Sequence, residues 1–91
     1  MNLSPHNRVT VAICTRSRPQ LLVRALESVT SQDSVPEAVL VIANMPPDDN
    51  YAMLLAKKFP EVRLVFETRE GLDFARNRAL RETTTDWVFY V

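Results

Sequence analysis

Ala38-Val39-Leu40-Val41-Ile42-Ala43 is an unbroken run of six apolar residues. A strand with one wet face alternates apolar and polar residues, so a continuous run of this length marks a strand covered on both faces, as in the interior of a parallel sheet. The segments around it supply the rest of such a sheet. Arg8 to Cys14 is rich in β-branched residues and breaks off at the polar cluster Thr15-Arg16-Ser17-Arg18, which predicts a first strand and a short loop. Val62 to Glu67 alternates more clearly, so a third strand is expected at an edge. Trp87-Val88-Phe89-Tyr90-Val91 reads as a fourth, buried strand, with Trp87, Phe89 and Tyr90 distributed over its two faces.

Helical periodicity fills the intervals. Pro19 suits a first-turn position, and Leu21, Leu22, Ala25, Leu26 and Val29 recur at the helical period, with Arg24 and Glu27 opposite, until Ser31-Gln32-Asp33-Ser34 and Pro36 end the element. Tyr51, Leu54, Leu55 and Phe59 mark a second helix, with Lys57 and Lys58 near its carboxyl end and Pro60 closing it. Asp48-Asp49, just before it, reads as an amino-terminal cap and dipole partner and not as a metal site. A third helix is expected over Leu72–Glu82 with Leu72, Ala75, Ala79 and Leu80 facing inward. Strands alternating with helices over short connections predict a three-layer α/β/α, Rossmann-like, mostly parallel sheet of about four strands with right-handed crossovers. No repeat, low-complexity tract or linker divides the chain, so residues 1–91 read as a single domain behind a flexible leader, Met1–Asn7.

Composition narrows the function. The chain has 11 basic and 11 acidic residues and no formal net charge, which argues against a general nucleic-acid binder, since phosphate contacts call for an excess of Lys and Arg. One cysteine, Cys14, and one histidine, His6, exclude an internal disulfide and multi-Cys or multi-His metal sites. Cys14 reads as an ordinary buried thiol and His6 as a surface residue of the leader. No apolar run approaches the ~20 residues that span a bilayer, and the leader lacks a signal-peptide pattern, so the expected location is cytoplasmic.

Gly71 is the only glycine, where average usage of about 7% predicts about six. The dinucleotide fingerprint G-x-G-x-x-G and the phosphate loop G-x-x-x-x-G-K-[ST] both need several, and neither occurs. In their place stands Thr15-Arg16-Ser17-Arg18, a doubly basic loop that opens a helix at the carboxyl edge of the sheet, where side-chain donors and helix N–H groups can meet an anion. Arg16 and Arg18 equally suit solvated surface charges, with Ser17 capping the helix.

At these residues the sequence resembles a known family. Val9-Thr10-Val11-Ala12-Ile13-Cys14-Thr15-Arg16-Ser17-Arg18-Pro19 is similar to the opening of family 2 inverting glycosyltransferases of the GT-A fold, where a hydrophobic strand runs into a Thr-x-x-Arg-Pro-type loop bordering the nucleotide. Val39 to Asn44 resembles the second strand of that family, Gly71-Leu72-Asp73-Phe74-Ala75-Arg76-Asn77 its G-L-x-x-A-R-N segment, and Thr85 to Val91 the strand that leads into its metal-binding Asp-x-Asp motif. The resemblance spans about Arg8 to Val91, with four motifs in order.

The resemblance implies a nucleotide-sugar site lined by Thr15, Arg16 and Arg18 after strand one, Asn44 after strand two, and Arg76 with Asn77 on helix three. It implies transfer of a sugar from a nucleoside-diphosphate sugar to an acceptor hydroxyl with inversion. It also implies a divalent metal, Mg or Mn, on the Asp-x-Asp motif, and a carboxylate acting as general base. Neither of these parts occurs in residues 1–91, which end at the strand preceding the motif; the chain is therefore expected to be the amino-terminal part of a larger enzyme, inactive alone and without bound metal. The acidic residue that the family often carries at the end of strand two, against the base, is replaced by Ala43. The alternative is a non-catalytic binding or interaction module of glycosyltransferase-like or flavodoxin-like fold. Self-association is expected through the last strand, whose apolar faces and edge lack cover.

Overall fold

The computed structural model describes residues 8–16, 19–31 and 36–90. The leader Met1–Asn7 with His6, the loop residues Ser17 and Arg18, residues 32–35 and Val91 lie outside the described residues. The described chain runs β1 (Val9–Thr15), α1 (Pro19–Thr30), β2 (Ala38–Ala43), α2 (Asp49–Lys58), β3 (Arg63–Phe66), α3 (Leu72–Glu82) and β4 (Trp87–Tyr90). The four strands form one sheet in the order β3-β2-β1-β4, and every neighbouring pair is parallel. The apolar run is thus an interior strand and β3 an edge, as their hydropathy predicts. β1 ends one residue later than expected, because Thr15 still pairs with Ala43.

The twofold period of the strands sorts the core into two layers. Val11 and Ile13 of β1 with Val39 and Val41 of β2 face α1 and α2, meeting Leu22, Leu26, Val29, Leu55 and Phe59. Ala12 and Cys14 with Leu40 and Ile42 point the other way and meet Ala75 and Ala79 of α3. Two layers of helices on one parallel sheet make the α/β/α architecture. Asp48 caps α2, its carboxylate accepting from the Tyr51 backbone N–H at 3.1 Å. Tyr51 lies edge-on to Phe66, and burial pushes its hydroxyl pKa up.

Three expected burials, those of Leu72, Leu80 and Leu54, are corrected. Leu72 and Leu80 are exposed, because α3 approaches the sheet through the small side chains of Ala75 and Ala79, and at about 100° per residue both leucines fall on the flank beside β4. Leu54 is exposed as well, since α2 turns Tyr51, Leu55 and Phe59 to the core. Among the described residues the last strand is an edge whose apolar faces lack cover, as expected of it in this chain. Trp87 and Phe89, paired with Val9 and Val11, share the face of α1 and α2, yet those helices stop short of β4 and leave the two rings 61% and 54% exposed. Val88 and Tyr90 fall on the α3 side, where Val88 packs against the core. Cys14 is half-buried.

Candidate functional site

The chain steps from β1 to β2 to β3 in one direction and then crosses by α3 to β4 on the other side of β1. α1 follows the carboxyl end of β1 on one face of the sheet, α3 follows β3 on the other, and the strand order reverses at β1, the kind of place at which open α/β sheets hold ligands in a crevice. The order also separates β1 from β3 by β2. A flavodoxin-like sheet would place them side by side, so that alternative fold is excluded.

Arg76 reaches this crevice. It sits in the amino-terminal half of α3, about 100° around the helix from Ala75, on the flank that meets β4. The Tyr90 hydroxyl donates to its main-chain oxygen at 3.2 Å. Its charge is felt by two neighbours there: burial raises the Cys14 thiol pKa while Arg76 lowers it, and burial and Cys14 raise the Tyr90 pKa while Arg76 lowers it. Both groups are therefore neutral at pH 7. Among the described residues the Arg76 guanidinium has no hydrogen bond or ion pair, so its charge is available to an anion. Asn77, one residue on, stands about 200° from Ala75 on the outer face of α3 and does not join Arg76 in the crevice.

The other predicted residues gather at the neighbouring loop. Thr15 ends β1 and is half-buried, and its carbonyl accepts from the Asn44 N–H at 2.8 Å. Asn44, only 6% exposed, directs its side chain at the connection from β3 to α3. Its Nδ2 donates to the carbonyls of Glu67 (3.0 Å) and Arg69 (2.7 Å), and its Oδ1 accepts from the Gly71 N–H at 2.9 Å. Both amide hydrogens are used, so Asn44 shapes the site through the loop it holds. Gly71 takes φ +137°, a conformation that L side chains rarely adopt, and a Cβ there would lie 3.4 Å from the Phe74 ring. Arg16, exposed just beyond β1, pairs with Glu70 of the same loop. Arg18 lies outside the described residues.

Glu67 has no counterpart in the sequence reading. It follows β3 and is 3% exposed, and its carboxylate accepts from the Arg69 backbone N–H (3.0 Å) and from that guanidinium at 3.1 and 3.3 Å. Arg78 and Arg81 of α3 stand 3.9 and 3.7 Å away. The side-chain and backbone hydrogen bonds from Arg69 are the main causes that hold its pKa at about 2. The Arg69 guanidinium in turn lies 4.7 Å above the Phe74 ring. The only local signal of this cluster was a carboxylate on the last residue of an edge strand, which reads equally as a solvated charge.

A sequence profile described as glycosyl transferase family 2 matches residues 10–91. The chain belongs to that family. No curated protein matches it. The matched range covers β1 through β4, so the family 2 domain and the α/β/α unit coincide. Ala43, at the position where the family often carries an acid, is fully buried at the end of β2. Among the described residues no group of three or more His, Cys, Asp or Glu side chains could hold a metal ion, so these residues do not by themselves fit the metal that the family implies. No helix among them is long and apolar enough to cross a membrane.

Proposed function

We propose that this family 2 domain binds the nucleoside diphosphate of a sugar donor in the crevice above β1 and β4, as the donor-binding part of an inverting glycosyltransferase. The observation that carries this reading is Arg76, an uncommitted guanidinium at the strand-order reversal, flanked by the neutral groups of Cys14 and Tyr90. Such a group favours the two negative charges of a diphosphate and orients its oxygens by charge-assisted hydrogen bonds. Thr15, Arg16 and Arg18 border the nucleotide on the β1 side, Asn44 acts through the loop after β3, and Asn77 lies at the outer rim. Transfer with inversion is a single displacement in which an acceptor oxygen attacks the sugar carbon, surrenders its proton to a base, and expels the diphosphate. Glu67 is engaged by Arg69 and Glu70 by Arg16, and in this reading residues 1–91 bind the donor weakly and do not catalyse alone. The exposed Trp87 and Phe89 beside the open β4 edge further support self-association through that strand.

The test is an amide-detected NMR titration with UDP, GDP and dTDP. Saturable shifts confined to Cys14, Thr15 and Arg76 for at least one nucleotide, weakened about 10-fold or more in Arg76→Gln as expected for one charge-assisted hydrogen bond, support the reading. No saturable shift with any of the three overturns it, as does equal binding by Arg76→Gln.

A further inference from the structure

Glu67 is more heavily engaged than a loop anchor requires. Its backbone N–H donates to the Ala43 carbonyl at 2.9 Å, its own carbonyl accepts from Asn44, and its side chain gathers arginines from two elements, Arg69 of the connecting loop and Arg78 and Arg81 of α3. Arg78 also bridges to Glu82 at 3.1 Å, and Glu82 pairs with Arg63 at the start of β3. Arg78 and Arg81 occupy the β3 flank of α3, whereas Arg76 occupies the β4 flank. A helix seated on the sheet through two alanines has little knob-into-groove packing to fix its rotation, since Ala75 and Ala79 present only methyl groups. The rotation of α3 must then be set by what holds its flanks, and on the β3 side that is Glu67 with its arginines, together with the Arg63–Glu82 pair nearer the carboxyl end of the helix.

We propose that Glu67 is a positioning residue for donor binding: by holding Arg78 and Arg81 on one flank of α3 it fixes the rotation of the helix that aims Arg76 into the crevice between β1 and β4. The inference rests on the donor-binding reading above. An ionic pin suits this task because a buried carboxylate has one set of good partners and penalises every other rotation, while apolar contact tolerates several. Rotation of α3 by one residue, about 100°, would carry Arg76 out of the crevice to the outer face where Asn77 now stands.

The test compares the wild-type chain, Glu67→Gln, the double variant Arg78→Gln/Arg81→Gln, and each of these combined with Arg76→Gln. Affinity is read by NMR titration with whichever of UDP, GDP and dTDP the wild type binds most tightly, and folding by urea unfolding of each variant. A variant that is at least 95% folded under the titration conditions can lose only about 5% of its apparent affinity through unfolding, since apparent affinity scales with the competent fraction. The expected result is a loss of about 10-fold or more in both Glu67→Gln and Arg78→Gln/Arg81→Gln while they remain folded. Arg76→Gln should then cost little further in either background, because the guanidinium is already misdirected. Full affinity, or an undiminished effect of Arg76→Gln in a folded Glu67 or Arg78/Arg81 variant, overturns the positioning role and leaves the donor reading intact. If Glu67→Gln does not fold, the Arg78/Arg81 variant decides by the same criteria. A wild-type chain that binds none of the three nucleotides overturns the donor reading, and the role of Glu67 falls with it.

Discussion

Replacing Asn44 with alanine removes three hydrogen bonds at once. The amide donates to the carbonyls of Glu67 and Arg69 and accepts from the Gly71 N–H, all at 3.0 Å or less, and it is buried. At about 1 kcal/mol net per bond, the loss is about 3 kcal/mol. For a chain of this size, with a urea m-value of about 1–1.5 kcal/mol/M, the unfolding midpoint should fall by about 2–3 M. Gly71→Ala perturbs the same loop from the other side. It forces a side chain into φ +137° at a cost of about 1–3 kcal/mol. In the Asn44→Ala background the loop is already released, so Gly71→Ala should cost less there, with a coupling of about 1 kcal/mol. Urea unfolding of the two single variants and the double variant measures all three quantities. A loss below about 1 kcal/mol for Asn44→Ala, or additivity within about 0.3 kcal/mol, would refute the account of the loop as one hydrogen-bonded unit.

Three further outcomes are expected. The pKa of Glu67 is about 2 in the folded chain against an ordinary 4.5, so the stability it supplies is present above pH 4.5 and is lost as the pH falls toward 2; the lowered Glu82 has the same sign. Urea midpoints between pH 6 and pH 2 should drop less steeply for Glu67→Gln than for the wild type, and parallel curves would count against the assignment. Cys14 should be alkylated by iodoacetamide more slowly than a free thiol at pH 8, and more slowly still in Arg76→Gln, because burial raises its pKa and the Arg76 charge opposes that rise; an unchanged rate in the variant would separate the two groups. Finally, Trp87 should emit as a solvated indole in dilute solution and shift to the blue as concentration rises and mass doubles, both changes being abolished by Trp87→Lys/Phe89→Lys. A constant monomer mass by light scattering over the same range would remove the case for association through β4.

The alternation of strand and helix was legible in the sequence because hydrophobic periodicity is a local signal: the apolar run of β2, the repeat of Leu22, Leu26 and Val29 in α1, and the Asp48 cap each announce themselves within a few residues. The same signal misplaced Leu72 and Leu80, since an apolar residue at a suitable period is buried only where another element covers it, and nothing described covers the β4 flank. The family motifs named Thr15, Asn44 and Arg76, which the fold gathers toward the carboxyl end of the sheet, without saying what each residue does there. The fold separated the adjacent residues Arg76 and Asn77, turning one toward the crevice and the other outward, because successive side chains on a helix diverge by about 100°. It made Asn44 the holder of a loop 23–27 residues away in sequence. It also drew Arg69, Arg78 and Arg81 around Glu67, a set with no common spacing. Period and propensity are written along the chain, and so the sequence by itself determined the elements and their class. Strand order, helix rotation and the pairing of charges from different elements depend on which surfaces meet, and only the tertiary structure decided them.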